Sequence, residues 1–458
     1  MGSPEKISKG IWKMVFYIFD RRFYVSTKMK YVLSLIFAIC WVLFSLWIAK
    51  TWIDSLAGHT GYFVSYFIVF GVAIIPGFLN SFLISSLLLD VRPPRKKIDE
   101  KIFPDISILI AAYNEEDNIE TTLESIKNEY YTKNGKTTVI VINDGSTDKT
   151  KEKLSNYDKY NWIKIINLEK NVGKANALNA GLLEVKTDLL ITIDADSILY
   201  NNAILRLVER YLLDPDDTIA VAGAVLVGNS RNNFVTKIQE WDYFHGIASV
   251  KRVQSLYGGT LVAQGAFSLY ETEEILKVGG WPDTIGEDIV LTWALLGTGK
   301  RIGFAEDACL FTNAPETWGK FIRQRQRWSR GLIEAFKKHW RLLFKARLST
   351  LFIWSNFTFP YLDLVYTFVF IPGVIMAFFG YYYIASLITL LVLPLAVLVN
   401  YIMFRIQRRM FTEQNLKVRK NIFGFIYYAL FYGLILQPAC VIGYIKEIFS
   451  FNKTWGTK

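Results

Sequence analysis

The sequence predicts a doubly wound α/β domain with a mixed sheet, facing the cytosol and inserted between transmembrane helices that make an α-helical membrane domain. Three observations predict it. Uncharged apolar stretches long enough to cross a bilayer lie towards both ends of the 458-residue chain. Between them, short apolar runs alternate with amphipathic ones, the rhythm of βα units. Hydrophobic residues make up 52% and aromatics 16%, yet charged residues still reach 20%, so a sizeable part of the chain meets water.

Residues 1–98 hold two spans. Tyr31–Ala49 and Thr60–Leu89 carry no charge over 19 and 30 residues, and a bilayer core needs about 20 per helix. Arg21, Arg22, Lys28 and Lys30 before them, and Arg92, Arg95, Lys96 and Lys97 after them, place both flanks inside. The α/β domain follows over 99–317. Ile106–Ala111, Thr138–Ile142 and Leu189–Ile193 read as buried parallel strands, and Asn118–Asn128 as a helix between two of them. An amphipathic segment, 318–347, leads to a second membrane region, 348–450, and a tail, 451–458. Leu348–Phe404 contains one formal charge, Asp363, which allows spans near Leu364–Gly380 and Tyr383–Phe404. The basic stretch Arg405–Lys420 is expected in the cytosol. Asn421–Ile445 is either a fifth span or, if broken at Pro438, a re-entrant segment.

The net charge of +11 is expected mainly on the cytosolic side, against anionic lipid, with nucleotide diphosphates as a second destination. No nucleic-acid-binding module is recognisable, so no nucleic-acid partner is expected. Cys40, Cys309, Cys440 and His59, His245, His339 are scattered, which argues against a disulfide framework or a zinc site. A metal would be held by carboxylates and phosphate, as Mg2+ or Mn2+ are.

The candidate chemistry sits where strands end, since an open α/β sheet binds ligands at the carboxyl ends of its strands. The first strand runs into Tyr113-Asn114-Glu115-Glu116, the second into Asp144-Gly145-Ser146. Asp144 is expected to present its carboxylate to a base or ribose, although such segments also serve as helix caps or Asx-turns. The third strand ends in Asp194-Ala195-Asp196. Two carboxylates one residue apart repel unless a cation lies between them, and a nucleotide diphosphate with Mg2+ fits that demand. Gly286-Glu287-Asp288 offers a second acidic pair, with Asp288 as a general base. It also suits a capped start to a helix over 289–296. In Gln324-Arg325-Gln326-Arg327-Trp328, Arg327 offers a diphosphate clamp and Trp328 a flat face for a sugar ring. The same segment reads as an interfacial helix with Trp318, Phe321, Trp328, Phe336 and Trp340 towards lipid.

With these motifs in order, the chain resembles the processive branch of glycosyltransferase family 2, which includes cellulose, chitin, poly-N-acetylglucosamine and hyaluronan synthases. The resemblance spans about Ile106–Gly331 and implies a GT-A fold. It further implies Tyr113, Glu115 and Asp144 at the uridine, Lys174 and Asp194 at the donor, Asp196 on the metal and Asp288 as base beside Glu287. Gln324, Arg327 and Trp328 would hold the diphosphate and the acceptor end, above Gln264-Gly265-Ala266. Residues 240–293 look most like poly-N-acetylglucosamine synthases. Leu436-Gln437-Pro438 and Trp455-Gly456-Thr457-Lys458 look more like hyaluronan synthases, in which the tail faces the nucleotide. Gly286 stands where threonine is common in the family.

The expected activity is therefore processive, inverting polymerisation of a UDP-sugar, foremost UDP-N-acetylglucosamine, into a β-linked polysaccharide that is translocated. Two alternatives stand beside it. One is a hyaluronan synthase using UDP-GlcNAc and UDP-GlcA; the other is a non-processive transferase to a lipid or polyprenyl phosphate. The expected partners are the UDP-sugar donor, the growing polysaccharide and membrane lipid, with room for an accessory export protein. Trp328, Trp354 and Tyr361 are candidates to line a polymer channel, and Trp354 and Tyr361 also suit an interfacial aromatic belt.

Overall fold

The computed structural model describes residues 25–90, 98, 102–385, 387–416 and 421–450. An eight-stranded sheet forms the centre of the α/β domain: β1 (Ile106–Ala112), β2 (Thr137–Asn143), β3 (Ile163–Asn167), β4 (Leu189–Ile193), β5 (Ile198–Tyr200), β6 (Thr218–Val227), β7 (Phe267–Glu271) and β8 (Arg301–Thr312). Their spatial order is β3-β2-β1-β4-β7-β6-β8-β5. β1 to β4 run parallel where they pair, while β7 runs antiparallel to both β4 and β6. β1, β4 and β6 are apolar along nearly their whole length because helices cover both faces of the sheet, leaving no solvent side for polar residues. Those helices include α3 (Ile119–Lys127), α4 (Lys174–Leu182), α5 (Ala203–Leu213), α6 (Phe234–Asp242) and α7 (Glu287–Gly297).

Before the sheet, α1 (Thr27–Thr60) and α2 (Tyr62–Leu89) pack as a hairpin turned at Gly61, whose φ is +78°. After it come α8 (Trp318–His339), α9 (Thr350–Phe378), α10 (Leu387–Glu413), α11 (Ile422–Leu430) and α12 (Tyr432–Ile448). Among the described residues, α1, α2 and α9 are long and apolar enough to cross a bilayer, and α11 with α12 makes a fourth if the bent pair is one span. The span expected from Leu364 begins earlier, at Thr350. The one expected over 383–404 falls on α10.

An ionic clamp fastens the membrane hairpin to the sheet. Arg252 Nε donates to Asp90 Oδ2 (2.6 Å) at the end of α2, and its Nη1 lies 3.1 Å from Glu306. Glu306 reaches it because β8 bulges: the register jumps from Gly223–Ala305 to Ala224–Cys309, looping out residues 306–308. Tyr257 adds a bond to Ser86 (3.0 Å) and an edge contact with Tyr31.

Two membrane-side expectations change. First, α8 does not turn all its aromatics to lipid. Phe321 is fully buried against Tyr432, and Phe336 packs on Trp293 with ring centroids 4.7 Å apart, whereas Trp340 is exposed. An aromatic stripe on a helix reads alike whether it meets lipid or protein. Second, the last apolar stretch breaks at Phe431 with a 52° bend, and Pro438 lies inside α12.

Both ends of that bent pair are anchored to the α/β side. Asn421, which caps α11, donates to Lys237 O (2.8 Å) and Glu240 Oε2 (2.6 Å) and accepts from Trp241 Nε1. At the far end of α12, Glu447 pairs with Arg330 (3.2 Å) and Lys337 (3.1 Å), and Lys446 donates to Gln326 (2.7 Å). A segment held to the same domain at both ends enters and leaves the membrane on one side, which favours the re-entrant reading over a fifth span. Accordingly, in a variant whose three cysteines are alanine, a single cysteine at Ser450 is expected to react with a membrane-impermeant maleimide from the same side as one at Lys151. Labelling from opposite sides of sealed vesicles would refute the re-entrant path.

Candidate active site

The strand order reverses between β1 and β4, so the carboxyl ends of β1, β2 and β4 open on one crevice. β1 delivers Tyr113, which is 43% exposed, then Asn114 in the left-handed region at φ +54°. Asn114 Oδ1 accepts the N–H of Thr147 (2.9 Å), and Ser146 Oγ accepts the N–H of Asn114 (3.0 Å). These bonds stitch the loops after β1 and β2 together. Glu115 Oε2 accepts from Asn118 Nδ2 (2.9 Å).

Asp144 stands just after β2. It is 2% exposed, and its two oxygens accept the N–H groups of Val172 (2.8 Å) and Gly173 (3.0 Å). Through these bonds it pins the turn that opens α4. Gly145 beside it has φ +65°, and a Cβ there would lie 2.5 Å from the Lys170 carbonyl carbon, so only glycine allows the two turns to touch.

Pinning that turn fixes Lys174, the first residue of α4. Its Nζ lies 2.5 Å from Asp194 Oδ1 and 3.6 Å from Glu287 Oε1. Burial disfavours the ammonium, but Asp194 first and Glu287 second hold its pKa above the usual lysine range. For Asp196, burial and then the neighbouring charges of Asp194 and Glu115 push the carboxyl up to about 6. Crowded oxygen donors of like charge are what a hard divalent cation relieves. Asp196, with Asp194 beside it, would hold such an ion. Among the described residues no three His, Cys, Asp or Glu side chains form a ready cage, so phosphate oxygens of a ligand would have to complete the coordination.

Glu287 and Asp288 open α7. Burial pushes Glu287 up to about 7, with Lys174 opposing and Asp288 reinforcing the rise. Asp288 Oδ1 accepts the N–H of Ile289 (2.7 Å) within the first turn; the helix begins at Glu287, two residues before the expected 289, and neither carboxylate caps it. Gly265 borders Lys174: a Cβ on it would come within 3.0 Å of Nζ. Gln264 Nε2 donates to Gly223 O (2.6 Å), and its Oε1 is buried without a hydrogen-bond partner among the described residues.

α8 supplies the remaining side. Gln324 bonds to the Tyr243 hydroxyl, and Arg327 acts electrostatically on both Tyr243 and Glu287. Trp328 is 40% exposed, with the Arg325 guanidinium 4.1 Å from its ring centroid, so one face is covered and the other remains for stacking. The structure thus brings Glu115, Lys174, Asp194, Asp196, Gly265, Glu287, Asp288 and Arg327 together. Tyr113 follows the end of β1, Gln264 precedes Gly265, and Gln324 and Trp328 both meet Tyr243. Trp354 instead donates to Leu343 O (3.0 Å) and Tyr361 to Phe67 O, which ties both to neighbouring helices. Trp455 and Lys458 lie outside the described residues.

Sequence reasoning missed two supports. Arg325 is buried in an ion pair with Asp242 (2.7 Å). Its i,i+2 spacing from Arg327 was a signal that the two point to different faces. Asn179 exchanges two hydrogen bonds with the Trp281 backbone, both 2.8 Å, fastening the loop before α7 to α4. Nothing in the sequence pairs those positions.

Residues 107–277 match the family model described as Glycosyl transferase family 2. A poly-beta-1,6-N-acetyl-D-glucosamine synthase of Staphylococcus aureus (strain MSSA476) is 34% identical over 263 residues, covering 57% of this chain and 62% of that protein. A protein of the same name from Staphylococcus epidermidis is 33% identical over 249 residues, covering 54% and 59%. The matched stretch therefore spans less than two thirds of these relatives. A mannosyltransferase of Pyrobaculum calidifontis, solved with GDP-Man and Mn2+, superposes with a TM-score of 0.58 at 17% identity over 84% of this chain and 99% of that one, which identifies the fold as GT-A.

The backbone role of Asp144 has a direct readout. Asp144→Ala is expected to raise hydrogen exchange in a peptide covering residues 170–176 by at least tenfold, and Asp144→Asn, which keeps one acceptor, by less. Unchanged exchange in the alanine variant would show that the carboxylate does not hold this turn.

Proposed function

Residues 107–277 are a glycosyl transferase family 2 domain of GT-A fold, and from that premise we propose that this chain is a processive, inverting membrane glycosyltransferase. Its donor is UDP-N-acetylglucosamine and its product a β-linked polysaccharide passed into the bilayer beside the domain. The observation that carries this reading is the ammonium of Lys174 set between Asp194 and Glu287. It joins the donor-side carboxylates to the helix that bears the base. The activity named for the staphylococcal relatives supports the choice of sugar.

The transfer follows from the placement of these groups. Asp288 accepts the proton of the acceptor's terminal hydroxyl. The oxygen so freed attacks the anomeric carbon from the face opposite the diphosphate. A C–O bond forms there as the bond from that carbon to the phosphate oxygen breaks, which inverts the centre and releases UDP. Lys174 and Arg327 meet the charge gathering on the diphosphate, the largest electrostatic demand of the step. A divalent ion held by Asp196 supplies further positive charge there when bound. Trp328 and Gln264 position the acceptor ring by stacking and by hydrogen bonding. Arg92 to Lys97 and the tail lie outside the described residues, so the cytosolic placement of the domain rests on the basic flanks, which the positive-inside rule puts in the cytosol.

Purified full-length protein with UDP-N-acetylglucosamine and Mn2+ is expected to release UDP and form a polymer resolved by gel, and EDTA is expected to abolish release until Mg2+ or Mn2+ is restored. Asp288→Asn is expected to lower kcat by roughly 10²–10⁴-fold with donor binding retained. Absence of UDP release from any UDP-sugar, or full turnover in Asp288→Asn, would overturn the assignment.

A further inference from the structure

The base-bearing helix α7 begins without a side-chain cap of its own, because its capping position is Gly286. A side chain from another helix takes over. Glu334, on α8 and 4% exposed, accepts the N–H of Gly286 through Oε2 at 3.0 Å. Beside that bond the two backbones nearly touch. A Cβ on Gly286 would lie 2.5 Å from Gly331 Cα, and one on Gly331 would lie 2.7 Å from Gly286 Cα. Neither position admits a side chain without pushing the helices apart. The contact is made by the residue immediately before Glu287 and Asp288, and by the helix that carries Gln324, Arg327 and Trp328.

We infer that Glu334, with the Gly286–Gly331 contact, is a positioning device that sets the distance between Asp288 and the acceptor- and diphosphate-binding residues of α8. The inference rests on the proposed transferase reading and adds to it a residue that touches neither donor nor acceptor. Its physical basis is geometric. Glu334 lies seven residues after Arg327, two helical turns on the same side of α8, so a single rigid helix carries both the lock and the clamp. A displacement of about 1 Å at a reacting centre costs on the order of 10²-fold in rate, whereas ground-state binding of the donor needs no such precision.

Kinetics of the full-length protein in detergent separate this from a general structural role. Glu334→Ala is expected to lower kcat for UDP release at least tenfold while the donor KM stays within twofold. Glu334→Gln, which still offers a carbonyl oxygen to the Gly286 N–H, is expected to keep kcat within threefold of the parent. Gly331→Ala leaves the hydrogen-bond partners intact and forces the backbones apart, so it should reproduce the kcat loss at unchanged KM, and it decides the matter if Glu334→Ala does not fold. Normal kcat in both Glu334→Ala and Gly331→Ala, or equal impairment of Glu334→Ala and Glu334→Gln, overturns the inference. A parent protein that releases no UDP instead overturns the underlying reading, which keeps the two failures distinct.

Discussion

The arrangement depends on one ammonium among many carboxylates. Glu115, Asp194, Asp196, Glu287 and Asp288 converge on a crevice where burial first, and neighbouring carboxylates with it, lift carboxyl groups out of their ordinary range, to about 6 for Asp196 and about 7 for Glu287. Bringing such groups together costs free energy unless positive charge is brought with them. Lys174 supplies it from inside the chain, in contact with Asp194 on the sheet and Glu287 on α7. Its position is set in turn by Asp144, through backbone bonds to the two residues before it. The ends of β2 and β4 and the starts of α4 and α7 are thereby coupled around a single side chain. The charge left unmatched is of the sign that a cation bound with a diphosphate would neutralise.

Much of this was legible in the sequence for a simple reason. Parallel strands covered on both faces read as unbroken apolar runs, and β1, β2 and β4 fall within a residue of the ranges read from those runs. Polar residues directly after such runs stand at strand mouths, so Glu115, Asp194 and Asp196 were placed before any coordinates. What stayed hidden depends on partners distant in the chain. The insertion of β7 between β4 and β6, the bulge that lets Glu306 meet Arg252, and the pairing of Asn179 with Trp281 leave no local pattern. The second task of Asp144 also stayed hidden, because a carboxylate in a turn looks the same in sequence whether or not it accepts the N–H groups of another loop.

The membrane half shows the same limit from another side. Hydropathy marks where apolar stretches lie but not which neighbours cover them. Phe321 and Phe336 are as apolar as lipid-facing residues and are covered by protein instead. Pro438 looked like the natural breaking point, yet the chain bends at Phe431 and keeps the proline within a helix. Asn421 caps α11 and the Glu447 ion pairs hold the end of α12, so the path of the segment is decided at its two ends.

These ends bring the membrane and the chemistry onto one element. On one side of α8, Gly331 and Glu334 meet Gly286 at the start of α7. On another, Ser329 approaches Gly443 so closely that a Cβ there would clash, and Arg330 and Lys337 hold Glu447. Interiors packed this tightly transmit displacement rather than absorb it. α8 therefore lies between the start of α7 and α12, held at two glycine contacts and by Glu334, Arg330 and Lys337. The need for glycine at 286, 331 and 443 thus follows from a single packing requirement, that α8 lie close against both the start of α7 and α12.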